Sequence, residues 1–360
     1  MTITDVRSNT KNTSITCKLS IVVLYGLSSV LLVLLMSAAG CQSNGLAFGV
    51  RSETMEARMR QVLYQALQSK DARNRTHALE CLAHLGGTEA AAKIRKYLAD
   101  TVPAVRFAAA VAAGDIQDYS ARDKLYVLLR DKNISVRMAA AYALEKMGDK
   151  RFGNWYDNIL AGNDNKLLGQ ACLLLGKLGN AGIRAGSREK LWHILRNVRE
   201  SASVQLQAAE ALAGLGDKRI LKRLMVWANS SYADDRMLAV SGLGLLGGHD
   251  AYTMLTVLAD DPQIEVRLAA IGAMQRQADK KDLQIVRKAL GYKDSGSDKF
   301  ATLRVRGLAI LALGKAGQSK DGSRIYKMMA SSNSYLRIAA ARACIDYLKR
   351  MKQLSQSGDM

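Results

Sequence analysis

The sequence predicts an all-α protein, an α-solenoid (an α–α superhelix) of about nine helical repeats. Three observations predict it. A segment of the Val-Arg-x-Ala-Ala type recurs, at Val105-Arg106-Phe107-Ala108-Ala109, Val136-Arg137-Met138-Ala139-Ala140 and Val266-Arg267-Leu268-Ala269-Ala270. Taken at the arginine, the recurrences lie 31 residues apart in six of eight intervals, and 37 and 39 apart in the other two. A fixed period of this length is the signature of a stacked repeat array. Finally, 360 residues contain only 2 prolines while 49% are hydrophobic and 6% aromatic, a composition suited to Ala- and Leu-rich helix and too apolar for a disordered chain.

The chain opens with an export signal. Arg7, Lys11 and Lys18 outweigh Asp5, and an uncharged stretch from Leu19 to Val50 contains the apolar run Ile21–Met36. Positive start, apolar middle and small-residue end are the parts of a secretory signal. The end, Ser37-Ala38-Ala39-Gly40-Cys41, resembles the lipobox of bacterial lipoproteins, with Ala38 where leucine is usual. The resemblance implies lipidation at Cys41, a signal of residues 1–40, and, with Gln42 after the cysteine, the periplasmic side of an outer membrane. Two alternatives stay open: residues 19–40 as a single uncleaved membrane helix, or an ordinary cleaved signal. Residues 41–54 then read as a polar tether, 55–350 as the repeat array, and 351–360 as a C-terminal tail.

Seven arginines anchor the repeats: Arg75, Arg106, Arg137, Arg236, Arg267, Arg306 and Arg337. Leu168 and Gln205 hold the same place in two further units. Three residues beyond the anchor all nine units carry alanine, from Ala78 to Ala340, and eleven beyond, six carry glycine. Apolar residues at −1, +3, +6, +7 and +10 form one face of a helix with period 3.6. The alanine column fits where neighbouring helix backbones approach closely, and a glycine at +11 stops the helix by adopting positive φ. A second helix precedes each anchor, as over 88–99 and 121–129. Turns holding Asp100, Asp131 or Asp261 six residues before their arginine lead into the anchor helix, and Pro103 and Pro262 both fall in these turns.

The Asp-x5-Arg turns, the Val-Arg pair, the alanine column and the Leu-Gly ending resemble the HEAT family, in particular the short HEAT-like repeats of phycobilisome lyase subunits. The resemblance covers residues 55–350. It implies a ladder of Asp–Arg bonds along the stack, interrupted here where Leu168 and Gln205 replace arginine and where Ser69, Ser230 and Ser331 replace the aspartate. Nine units spaced by about 10 Å are expected to give a curved rod of roughly 90 Å, with loop insertions near 180–187 and 291–299.

The residues offer no catalytic set. There is no nucleophile elbow or phosphate loop. No Cys/His cluster suggests a metal, so neither metal nor cofactor is expected, and the chain is read as a non-enzyme. HEAT-like deoxyhypusine hydroxylases hold iron with His-Glu dipeptides, and this chain has none. A lyase or modifying-enzyme subunit is the alternative, and its test is a metal pocket formed by His77, Glu80 and His84. Cys81, Cys172 and Cys344 fall on core or small-residue columns several repeats apart and are expected to stay unpaired.

Charge is the remaining lead. Removing residues 1–40 takes three basic and one acidic residue from a net +20 and leaves +18. Nine residues past the anchor, His84, Lys146, Lys177, Arg276 and Lys315 are expected to form a row along a concave wall. The function these features predict is a membrane-anchored scaffold that binds a protein partner on its concave face. An anionic envelope polymer or lipid headgroups are further candidates, and nucleic acid is not expected for an exported chain.

Overall fold

A computed structural model describes residues 52–179, 187–197, 201–275, 278–294, 298 and 300–357. They lie in one compact unit that runs from Val50 to Asp359. Among the described residues there are eighteen α-helices and no strand. They pair as α1 (Ser52–Leu67) with α2 (Ala72–Leu85), α3 (Gly87–Lys96) with α4 (Pro103–Asp115), α5 (Arg122–Leu128) with α6 (Ile134–Lys146), α7 (Gly153–Leu160) with α8 (Asn165–Leu178), and α9 (Ser187–Arg196) with α10 (Ala202–Gly214). The array continues as α11 (Leu221–Ala228) with α12 (Ala233–Leu246), α13 (His249–Leu258) with α14 (Ile264–Met274), α15 (Lys280–Ala289) with α16 (Ala301–Ala316), and α17 (Gly322–Met328) with α18 (Ser334–Ser357). The even-numbered helices carry the anchors. The fold is thus an all-α HEAT-type solenoid of nine helix pairs.

Local chemistry sets the helix ends. Asp71, Asn133, Asp164 and Ser201 each cap an anchor helix by accepting from its first free amides. Pro103 starts α4. At +11, Gly86 and Gly216 take φ of 73° and 68°, and Gln117 does the same work with φ of 51°. The alanines at +3, such as Ala78, Ala109, Ala140 and Ala340, are fully buried. The closest backbone approach lies elsewhere. Glycine at +8 of one anchor helix meets alanine at +6 of the next: a Cβ on Gly114 would lie 2.7 Å from Ala143 Cα, one on Gly176 2.9 Å from Ala211 Cα, and one on Gly314 2.6 Å from Ala343 Cα.

The Asp–Arg bonds join neighbours. Arg106 Nη1 donates to the carbonyl of Asp100 in its own turn at 2.8 Å, while Nε and Nη2 grip Asp131 of the next turn at 2.8 and 3.0 Å. Arg75 holds Asp100 and Arg236 holds Asp261 in the same bidentate way. Arg137, Arg267 and Arg337 keep only the carbonyl half of the arrangement, on Asp131, Asp261 and Ser331. Arg306 is the exception, with its buried Nε unpartnered.

The array differs from the expected open rod. Its last helix, α18, packs against both α1 and α2, so the nine units close into a ring. Cys344 of α18 donates its thiol to the Met55 carbonyl of α1 at 3.8 Å, and Lys349 donates to the His84 carbonyl of α2. Consecutive anchor helices pack on one another all the way round. One sequence expectation changes with this. Repeats one and nine are neighbours, so distance along the array does not keep Cys81 from Cys344, although both thiols are free and buried. Helix α1 already begins at Ser52, inside the expected tether, and α18 continues through 351–357, where no glycine or proline intervenes and Met351 packs on the core.

Cys41, the signal and the segment 180–186 lie outside the described residues. The second insertion is described in part: Asp298 accepts from Phe300 N and pairs with Arg304 at 2.7 Å, which ties the insertion to the start of α16. Among the described residues no helix is long and apolar enough to cross a membrane.

Candidate lumenal site

An anchor helix points the positions −2, +2, +5 and +9 away from its packed face, a spacing of four, three and four residues that stays on one side of a helix. In a ring those positions face inward. They line a cavity of about 450 Å³ bounded by α2, α4, α6, α8 and α18. Phe107, Val111 and Leu173 supply an apolar wall, and Leu173 is 42% exposed, high for a leucine. Glu80, Asp115, Lys166, Lys177 and Arg342 supply charge of both signs, and His84 lies among them. A second cavity of about 420 Å³ lies at the ring closure between α2, α16 and α18, lined by His77, Glu80, Leu311, Lys315, Arg342 and Asp346.

Of the five residues expected in a basic row, four lie among the described residues. His84 and Lys177 line the first cavity and Lys315 the second. Lys146 reaches the Lys177 carbonyl at 3.4 Å. Arg276 lies outside the described residues. The same column includes Asp115 and Asp346, so the wall is of mixed sign and not a cationic rail. Lys177 Nζ pairs with Asp115 at 2.7 Å, across two repeats, and the same carboxylate accepts from the Tyr142 hydroxyl. Burial pushes the Tyr142 hydroxyl well above its ordinary range, with the Asp115 charge acting in the same direction.

Two histidines feel opposite fields. The hydrogen bond to Glu80, Nδ1 to Oε2 at 3.2 Å, raises the His77 pKa. Burial lowers the His84 pKa, and the Arg342 charge adds to it. His77 and His84 open into different cavities, with Glu80 reaching both. Among the described residues no three metal-ligating side chains converge.

Past the +11 glycine lies a further set of residues, marked in the sequence by a repeated tetrapeptide. Asp149 and Asp217 follow Gly148 and Gly216 in two copies of Gly-Asp-Lys-Arg. Both carboxylates are buried, with 7% and 5% of their side chains exposed, and each is gripped by its own arginine, Arg151 and Arg219. Tyr126 and Trp192 of the preceding outer helices donate to them as well. Asp118 and Asp321 play the same part with Arg95 and Arg287. These pairs are a second ladder, along the opposite ends of the anchor helices from the first.

Residues 92–153 and 188–275 match the family model for HEAT repeats. No curated protein matches the chain. Among solved structures, the complex of CpcE and CpcF of phycocyanin lyase from Nostoc sp. PCC7120 is similar at 20% identity, covering 74% of this chain and 96% of that one, with a TM-score of 0.40. Human deoxyhypusine hydroxylase in complex with glycerol is similar at 20% identity over 73% of this chain and 96% of that one, with a TM-score of 0.34. An engineered protein is similar at 17% identity over 82% and 99%, with a TM-score of 0.31.

Proposed function

We propose that the protein is a lipid-anchored, extracytoplasmic scaffold that binds a protein partner through the inward, concave face of its HEAT-type ring. The observation that carries this reading is the lumenal cavity. It combines an apolar wall with charges of both signs, and its volume lies within the range of specific binding sites. A cavity of about 450 Å³ holds a few side chains and not a folded domain. What fits is a narrow segment of the partner, an extended strand or loop of a few residues whose side chains meet Leu173 and Phe107 while its charges meet Lys177, Arg342 and Glu80. The mixed wall also argues against a purely anionic polymer, because Asp115 and Asp346 already pair with Lys177 and Arg342.

A photo-crosslinking residue at Leu173 tests this in intact cells. It is expected to capture one protein, and Arg342→Glu is expected to abolish capture while the circular dichroism stays helical. Capture that is indifferent to Arg342→Glu, or equal from an outer-face position such as Val127, overturns the lumenal reading. The anchor has a separate test: labelling with a palmitate analogue is expected in the parent and not in Cys41→Ser, and label in both removes lipidation at Cys41.

A further inference from the structure

The two lumenal cavities adjoin. Glu80 of α2 and Arg342 of α18 line both, at the place where the first and last repeats meet. These two side chains are not paired with each other. Glu80 accepts from His77 on its own helix at 3.2 Å, and Arg342 donates to Asp346 on its own helix at 3.3 Å. The junction between the cavities is therefore not closed by an ion pair.

Each cavity offers the same two elements. The first joins the apolar wall of Phe107, Val111 and Leu173 to the exposed Lys166; the second joins Leu311 and Ile338 to the exposed Lys315. Among the described residues neither lysine has an acidic partner. The lining acids, by contrast, are engaged: Asp115 by Lys177 and Tyr142, Asp346 by Arg342, and Glu80 by His77. The charge left unanswered in each cavity is thus positive. A third element lies on α8, one turn from Leu173. Gln170 lines the first cavity, and its amide oxygen is buried with no hydrogen-bond donor. A buried acceptor without a donor is costly, and an occupant that brings an N–H removes the cost.

We propose that the two cavities are adjoining subsites for one acidic, apolar segment of the partner, bound in extended form. It places an apolar side chain in each cavity, one carboxylate on Lys166 and another on Lys315, and a backbone N–H on the Gln170 amide. An extended peptide fits this set because its side chains alternate in direction while its backbone offers an N–H along its length. Neighbouring helices such as α2 and α18 stand about 10 Å apart, and three to four extended residues of about 3.3 Å each cover that span. A ligand confined to one cavity leaves the other lysine unanswered. The inference rests on the lumenal reading above, and adds to it the sign and the two-part form of what binds.

The test uses the full chain in intact cells, with a benzophenone amino acid at Leu173 in one strain and at Leu311 in another. Mass spectrometry maps the crosslinked residues on the captured protein. Both positions are expected to mark one protein, within a single stretch of fewer than ten residues that contains acids. Lys166→Glu and Lys315→Glu, both at exposed positions, are each expected to lower capture about tenfold at both crosslinkers, because a like charge replaces an attraction. Lys124→Glu on the outer face is expected to leave capture unchanged. Replacing the mapped acid of the partner by lysine is expected to restore capture to Lys315→Glu. Capture at Leu173 with none at Leu311 overturns the two-part site and leaves the lumenal reading standing. So do marks on distant stretches of the partner, a stretch without acids, or equal loss with Lys124→Glu. No capture at Leu173 removes the lumenal reading itself.

Discussion

Replacing Gly314 by alanine tests the close packing of one anchor helix on the next, here α16 on α18. The new methyl group would sit 2.6 Å from both Cα and O of Ala343 and 2.8 Å from its Cβ. These are backbone contacts of one helix against another, so no side chain can swing aside, and α16 and α18 must move apart by something near an ångström. Overpacking of this kind costs about 1–3 kcal/mol. Alanine in place of glycine returns roughly 0.5–1 kcal/mol through helix propensity. The expected net loss is about 1–2 kcal/mol, a fall of roughly 2–6 °C in melting temperature for a domain of this class. The matched control is Gly214→Ala, where nothing lies within 4 Å of the new Cβ. There only the propensity acts, and the melting temperature is expected to rise. Thermal unfolding by circular dichroism reads both. If Gly314→Ala melts at or above the parent, the close approach of α16 and α18 is refuted.

Three other outcomes follow from the same structure. In NMR titration, His77 is expected to lose its proton above 6.5, its ordinary value, and His84 below it. The stabilisation from charged His77 is then complete below pH 6.5 and lost as the pH rises through its folded value, while neutral His84 costs stability as the pH falls below 6.5; identical titrations contradict the opposed fields. The Arg106 guanidinium holds the Asp131 carboxyl below the usual range, so the pair stabilises the fold above about pH 4 and weakens as acid protonates Asp131. Arg106→Gln is expected to cost about 2–3 kcal/mol at neutral pH and to flatten the acid limb of a denaturation series; an unchanged acid limb means the pair is not formed. Burial pushes the thiols of Cys81 and Cys344 up to about 12, so both are expected to resist alkylation at pH 8 until the protein unfolds, and rapid labelling of the native chain contradicts their burial.

The helix pairs themselves were legible in the sequence because their causes are local. A proline at Pro103, caps at Asp71 and Asp164, and glycine at +11 each act within one turn of the chain, and the 3.6-residue apolar period names the buried face without reference to any neighbour. The Asp-x5-Arg spacing was also visible, since Arg106 bonds its own turn six residues back. The ladder along the stack, which carries Arg106 on to Asp131, came with the family resemblance. What escaped was the second ladder of Asp118, Asp149, Asp217 and Asp321, whose distant partners Arg95, Tyr126, Trp192 and Arg287 lie 23 to 34 residues away and share no spacing that a sequence column shows.

The candidate site divides in the same way. The +9 column put His84, Lys177 and Lys315 in one row; in the structure His84 and Lys177 line one cavity and Lys315 another. That Lys177 would be neutralised by Asp115 two repeats away depends on the radius at which the anchor helices curve. Curvature is the sum of nine small rotations between neighbouring pairs, each set by contacts such as Gly114 on Ala143 and altered by every insertion. A small error per step becomes the difference between a rod and a ring. The sequence by itself determined the unit, its two helices, their buried faces and the ends that stop them. Only the tertiary structure decided that α18 would meet α1, because closure depends on the accumulated geometry of every interface and on no single residue. That closure turned a concave wall into a cavity.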